Sequence, residues 1–145
     1  MQTLTLEQTK WFTASVRISG EALEPEEISR LLALNPTRTH SRGEPRSRQG
    51  KGAEIAWRDS LWLLQSPLDA GADPAEHLKW LLGVLEPKNS LIKTLSQDYQ
   101  VDLFCGFSSA SGQGGFILDA GTLRRLADLS IPLIIDLYPP GPPER

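Results

Sequence analysis

From Trp11 to Ile18 apolar and polar side chains alternate without a break, with Phe12, Ala14, Val16 and Ile18 on one side and Trp11, Thr13, Ser15 and Arg17 on the other. Successive side chains of an extended chain point to opposite faces, so this pattern predicts a half-buried strand. Gly20 ends it. The run Glu24-Pro25-Glu26-Glu27 then predicts a helix start. Proline suits the first helical position, where its missing N–H is not needed, and acidic side chains favour the positive end of the helix dipole. Ile28, Leu31 and Leu32 form the expected buried stripe, and Asn35-Pro36 the stop.

A short strand is expected near Thr37–His40, followed by a long exposed loop to about Gly52. Ile55 to Leu64 reads as a strand, with Trp57, Leu61 and Leu63 on one side and Trp62 and Leu64 on the other. Its unbroken run Leu61-Trp62-Leu63-Leu64 predicts partial cover on both faces. Asp73-Pro74-Ala75-Glu76 is the clearest local signal: a capping aspartate, a proline at the first helical position and a glutamate placed to reach back. Leu78, Leu81, Leu82 and Leu85 follow at helical spacing; Pro87 interrupts, and a second helix buries Leu91, Ile92 and Leu95. Tyr99 to Phe107 alternates as a strand, Ser108 to Gly115 turns, and Phe116 to Leu118 is expected to return as a short strand. Asp119 caps a helix carrying Leu123, Leu126 and Ala127, and Ile131 to Tyr138 closes the order as an apolar strand.

The predicted order is β-α-β-β-α(α)-β-β-α-β. It implies an α+β fold: a largely antiparallel sheet with helices packed on one face, following a ferredoxin-like βαββαβ path extended by a C-terminal β-α-β. Residues 1–10 read as a leader, 11–138 as one domain and 139–145 as a proline-rich, polyproline-like tail.

At 145 residues the chain falls in the usual size range of one domain. A fold of that size buries roughly 68–70% of the surface its unfolded chain exposes, which supports a core without disulfides or a structural metal. The single cysteine, Cys105, has no partner for an intramolecular disulfide, and with His40 and His77 it makes no zinc set. No cofactor is called for. The first ten residues lack the basic and apolar regions of a signal peptide, and no stretch approaches the roughly 20 apolar residues of a membrane span. A cytoplasmic protein without membrane contact is expected.

The spacing of these pieces resembles a bacterial family known as domain of unknown function 4279. The resemblance is carried by Val16-Arg17-Ile18-Ser19-Gly20, the helix Pro25–Leu34, and Asn35-Pro36-Thr37-Arg38-Thr39-His40-Ser41-Arg42-Gly43-Glu44. Trp57, the helix His77–Leu85, and Gly115-Phe116-Ile117-Leu118 running into Leu123–Leu126 complete it. The resemblance implies a small stand-alone domain and brings no substrate or chemistry with it.

Charge is where the picture sharpens. Between Arg38 and Lys51 stand five basic side chains (Arg38, Arg42, Arg46, Arg48, Lys51) and one acid, Glu44. That local charge of +4, in a chain of net −3, leaves −7 elsewhere. Guanidinium groups present planar paired donors that match phosphate and carboxylate oxygens. The bland alternative is a solvated loop leaning on the protein's own acids, Glu21, Glu24, Glu26 and Glu27. Nucleic acid is disfavoured, because the remaining negative charge opposes its approach and no aromatic is interleaved in the loop to stack on bases.

The other candidates are weaker. Ser111-Gly112-Gln113-Gly114-Gly115 lacks the lysine and the following helix of a phosphate loop and reads as a turn. His40 and His77 read as surface residues, and Cys105 as a buried inert thiol. Trp11, Trp62 and Trp80 fall off the apolar phases of their elements and, with Trp57, raise the prospect of an exposed aromatic face. The leading expectation is a non-catalytic interaction module contacting an acidic protein or anionic small ligand through Arg38, His40, Arg42, Arg46, Arg48, Trp57 and Trp62. The alternative is an enzyme or ligand-binding domain whose pocket gathers Arg17, Arg38, His40, Trp57 and Asp136.

Overall fold

β1 (Lys10–Gly20) is the central strand of a five-stranded sheet. In the computed structural model, which describes residues 10–46 and 55–140, the elements that follow are α1 (Pro25–Leu32), β2 (Arg38–His40), β3 (Ser60–Gln65), α2 (Pro74–Leu85), a 3₁₀ turn (Glu86–Lys88), α3 (Asn89–Asp98), β4 (Gln100–Ser109), α4 (Ala120–Asp128) and β5 (Leu133–Leu137). The strands lie in the order β2-β3-β1-β4-β5. β1 pairs antiparallel with β3 and β4, β2 antiparallel with β3, and β5 parallel with β4. The fold is α+β with a largely antiparallel sheet. The parallel pair requires a crossover long enough to return the chain to the same end, and α4 lies in it.

The alternation in β1 does what its spacing predicts: Phe12, Ala14, Val16 and Ile18 are all 0–1% exposed. They form one core with Ile28 and Leu32 of α1, the four leucines of α2, Ile92 and Leu95 of α3, Leu126 of α4, and Trp62, Leu64, Val101, Leu103, Cys105 and Phe107 of the neighbouring strands. All four helices therefore contribute to the same face of the sheet. Each fully buried side chain of this size contributes about 1.5–3 kcal/mol relative to its exposed state. The α2 start is as predicted, with Asp73 accepting from the Ala75 N–H (3.1 Å) ahead of Pro74. Glu76 does not reach back; it faces Lys79. Asp119 caps α4 through the Thr122 N–H at 2.7 Å.

Several expectations are corrected. Leu31, Leu91 and Leu123 are 37–50% exposed, and Ala127 is exposed. In α1 the buried face turns towards Pro25 and Ser29, whose hydroxyl accepts from Trp62 Nε1 at 3.0 Å, which swings Leu31 outward. In α4 the buried positions are Thr122 and Leu126, with Leu129 just beyond the helix. Helical spacing sets which residues share a stripe; the packing partner sets which stripe is covered.

The expected strand at Phe116–Leu118 does not form. β4 already has β1 on one edge and β5 on the other, so a returning segment finds no free ladder groups. The alternation there is real but serves packing: Phe116 and Leu118 turn onto the core while Ile117 is 83% exposed. The strand expected from Ile55 begins only at Ser60, and Ile55–Trp57 pair instead with the chain just after β2. Trp62, expected to face outward, is 0% exposed in the helix-covered core. His77, expected on the surface, is 1% exposed. The leader (apart from Lys10, which joins β1), most of the tail and loop residues 47–54 lie outside the described residues.

Candidate functional site

Among the described residues no helix covers the second face of the sheet, and its polar residues are placed by register. Arg38 of β2 stands opposite Leu63 of β3, which stands opposite Arg17 of β1, which stands opposite Asp102 of β4. Two residues along, on the same face, runs a second row of His40, Leu61, Ser19 and Gln100. Strands are spaced by about 4.8 Å, so each four-strand row spans roughly 14 Å. Seven of these eight residues (all but Leu63) floor a recess of about 620 Å³, walled by Glu44, Pro45 and Trp57. That volume is in the range that holds a small-molecule ligand.

The wall is built by a short ladder. The Trp57 N–H donates to Glu44 O (2.9 Å), the Gly43 N–H to Trp57 O (2.9 Å), and the Arg46 N–H to Ile55 O (2.7 Å). Gly43 takes φ 89°, a left-handed conformation that glycine adopts without cost, and this turns the chain back. The ladder lays the Trp57 ring flat on the His40 imidazole, with centroids 3.7 Å apart and planes 8° from parallel. The Arg46 guanidinium stands 4.4 Å from the Trp57 ring centroid. His40, Arg46 and Trp57 also border a neighbouring recess of about 560 Å³.

His40 is held neutral at physiological pH. Burial pushes its pKa below the usual 6.5 and the Arg38 charge adds to this, while Glu44 and the Asp59 carbonyl pull the other way and Arg46 adds a smaller push down. Its Nδ1 is buried and has no hydrogen-bond partner among the described residues. A neutral imidazole offers one donor and one acceptor, so this atom is an unused polar group, buried and out of contact with the open recess.

The two floor arginines differ. Arg17 is closed on Asp102 by two bonds, Nε to Oδ1 at 2.8 Å and an Nη to Oδ2 at 3.1 Å, and its guanidinium lies 4.1 Å from the Phe104 ring centroid. Asp102 is almost completely buried, and the pair cancels its own charge. Arg38 has no carboxylate within ion-pair distance among the described residues; the ion pairs there are Arg17–Asp102, Arg30–Glu27, Lys79–Glu76 and Arg125–Glu86. Arg42 and Arg46 are likewise without an ion pair in that set. From Arg38 to Arg46 the chain carries three cations and one acid, Glu44, whose carboxylate accepts from the Ser41 N–H at 3.1 Å.

The expected contact residues thus separate. Arg38, His40 and Trp57 meet at one recess, and Arg46 joins His40 and Trp57 beside it. Arg42 turns to a shallow recess shared with Glu21, Glu24 and Glu26, where the solvated-loop reading fits. Trp62 is in the core and leaves the site. Arg48 and Lys51 lie outside the described residues. Asp136 stands opposite Gly106 and does not line the recess.

The family model described as Domain of unknown function (DUF4279) matches residues 7–140. The chain belongs to the DUF4279 family. No curated protein and no solved structure gives a match.

Elsewhere in this DUF4279 domain the chemistry-bearing residues are occupied structurally. A carbonyl only accepts, so His77 Nε2–H donates to Asp69 O (3.0 Å) and Nδ1 must accept from the Ser66 hydroxyl (2.9 Å). That fixes a neutral tautomer and pins residues 66–69 to α2. Cys105 is buried, and burial pushes its thiol up to about 12, so it carries no thiolate. The glycine run is a turn, with φ 76° at Gly112 and 145° at Gly114. No group of three or more His, Cys, Asp or Glu among the described residues could hold a metal ion, and no helix there is long and apolar enough to cross a membrane. The pattern of single residues missed Ser19, Gln100 and Asp102 as site components. Their only signal was that each sits on the polar phase of its strand.

Proposed function

We propose that this DUF4279 domain is a non-catalytic binding module that takes an anionic group, a carboxylate or phosphate of a small ligand or acidic partner, over the Arg38–His40–Trp57 recess. The observation that carries this is the contrast between the two floor arginines: Arg17 is closed on Asp102, whereas Arg38 reaches the same recess with no carboxylate within ion-pair distance among the described residues. Arg38 supplies paired donors and the Trp57 edge an apolar wall, with the His40 ring stacked behind it. A cytoplasmic setting goes with this reading, supported by a lone thiol buried beyond the reach of oxidative pairing.

The test is calorimetric titration with inorganic pyrophosphate and with a dicarboxylate at low salt. A hydrogen bond to a charged group is worth about 1.5–3 kcal/mol, so Arg38→Ala should weaken binding by about 10- to 100-fold. Arg42→Ala should leave it within about twofold, since that side chain faces the Glu21–Glu26 side. Absence of binding by the wild type, or equal loss in both variants, would count against the recess.

A catalytic reading takes its support from one observation: Arg17, Arg38, His40 and Trp57 come together, and a neutral His40 is a competent proton acceptor. Turnover of a bound ester or anhydride that disappears in His40→Gln while affinity persists would favour it over simple binding.

A further inference from the structure

We infer that β5 pairs with its own copy across a two-fold axis, so that two chains form one continuous ten-stranded sheet. β5 is an edge strand, and among the described residues nothing pairs with its outer side. The orientation of its backbone follows from two hydrogen bonds: the Tyr138 N–H donates to Phe107 O and the Leu103 N–H to Pro132 O, each at 2.9 Å. A strand residue directs its N–H and C=O to the same side, and neighbours alternate. The even-numbered residues from Pro132 to Tyr138 therefore face β4, and Leu133, Ile135 and Leu137 hold out their backbone donors and acceptors to whatever lies beyond.

An open edge is normally blunted by lysines, prolines or a bulge. β5 has no bulge in its register with β4 and no basic residue. Pro139, the next outward position, lacks an N–H and closes the template after Leu137. Two of the strand's outward residues are also exposed apolar side chains, Ile135 (45%) and Leu137 (73%).

The strand's pattern selects a second copy as occupant and fixes the register. Antiparallel pairing about Ile135 sets Ile135 against Ile135, Leu133 against Leu137 and Ile134 against Asp136. Every outward residue then falls in a hydrogen-bonded pair, which exchanges two N–H···O bonds. Apolar side chains meet apolar ones on the helix side. Centring the pairing on Asp136 would oppose carboxylate to carboxylate, a destabilising arrangement. Centring it on Ile134 would carry Leu137, the most exposed residue of the strand, beyond its partner's β5.

Sedimentation velocity from micromolar to near-millimolar protein reads the proposal directly. The wild type should approach twice the 16.0 kDa chain mass. Ile135→Lys should remain monomeric with an unchanged thermal midpoint, which separates lost pairing from lost folding. For register, Ile134 and Asp136 of opposite copies form non-hydrogen-bonded pairs about 4.5 Å apart at Cα, a span a disulfide accepts. Oxidised Ile134→Cys/Asp136→Cys should give a covalent dimer and Asp136→Cys alone should not, the buried Cys105 thiol being silent. A wild type that stays monomeric at the highest concentration, a dimer that survives Ile135→Lys, or cross-linking by Asp136→Cys alone would each overturn it.

Discussion

Replacing Arg17 with alanine removes the only ion-pair partner that the described residues give to Asp102, whose side chain is 3% exposed. The carboxylate would then be left without its counter-charge in a site that water enters poorly. Removing one member of a buried pair costs about 3–5 kcal/mol, and because the Arg17 side chain is itself 31% exposed the lower end, about 3 kcal/mol, applies. For a domain of this size that is a fall of roughly 10 °C in melting temperature. Asp102→Ala should cost less, about 1–2 kcal/mol, since the freed guanidinium keeps its contact with Phe104 and turns towards solvent. Arg17→Met/Asp102→Leu should return to within about 1 kcal/mol of the wild type, because apolar replacement of both partners leaves no stranded charge. Urea unfolding followed by circular dichroism measures all three, with constant slopes required for comparison. An Arg17→Ala cost below that of Asp102→Ala, or a double variant no better than the worse single one, would refute the view of this pair as a self-neutralised floor.

Three further outcomes follow. His77 and His40 both have their pKa lowered from 6.5, chiefly by burial, so the unfolded chain takes up protons first; stability is full above 6.5 and falls as pH drops through the lowered values. Urea midpoints at pH 7 and pH 5 should therefore differ, and His77→Gln should flatten the difference. Leu82→Ala, at a position 0% exposed, should cost about 3 kcal/mol, while Leu31→Ala, at 41%, should cost under about 1 kcal/mol in the same assay. Asp73→Ala and Asp119→Ala should each lower stability by about 1 kcal/mol through lost helix caps, read as small thermal shifts.

Local pattern made the scaffold legible. The strict alternation from Phe12 to Ile18, the Asp73-Pro74 start of α2 and its leucine stripe all carry their own geometry, and the chain obeys them. What failed depended on partners distant in sequence. Trp62 lies in a strand apolar on both phases, so nothing local said which side the helices would cover. Phe116–Leu118 had a strand's alternation, but β4, the strand before it, already had both edges paired. His77 was judged by its neighbours in sequence, while its environment comes from Ser66 and Asp69 folding back over it.

The site follows the same logic. The basic run from Arg38 to Lys51 stood out by composition, but composition could not tell that Arg42 turns to the acidic side while Arg38 turns to the sheet. Arg17 and Asp102 are 85 positions apart and become neighbours only through the β1–β4 register. A row across four strands has no signature along the chain.

The recess is tested most directly by nitrogen-15 NMR during titration with inorganic pyrophosphate. Shifts should concentrate on the backbone amides of Arg38, His40, Leu61 and Gln100 and on the Trp57 indole N–H, with Arg42 and the α1 start unmoved. Shifts centred on Arg42 and Glu21–Glu26, or none at saturating pyrophosphate, would contradict the assignment of an anion site to Arg38, His40 and Trp57.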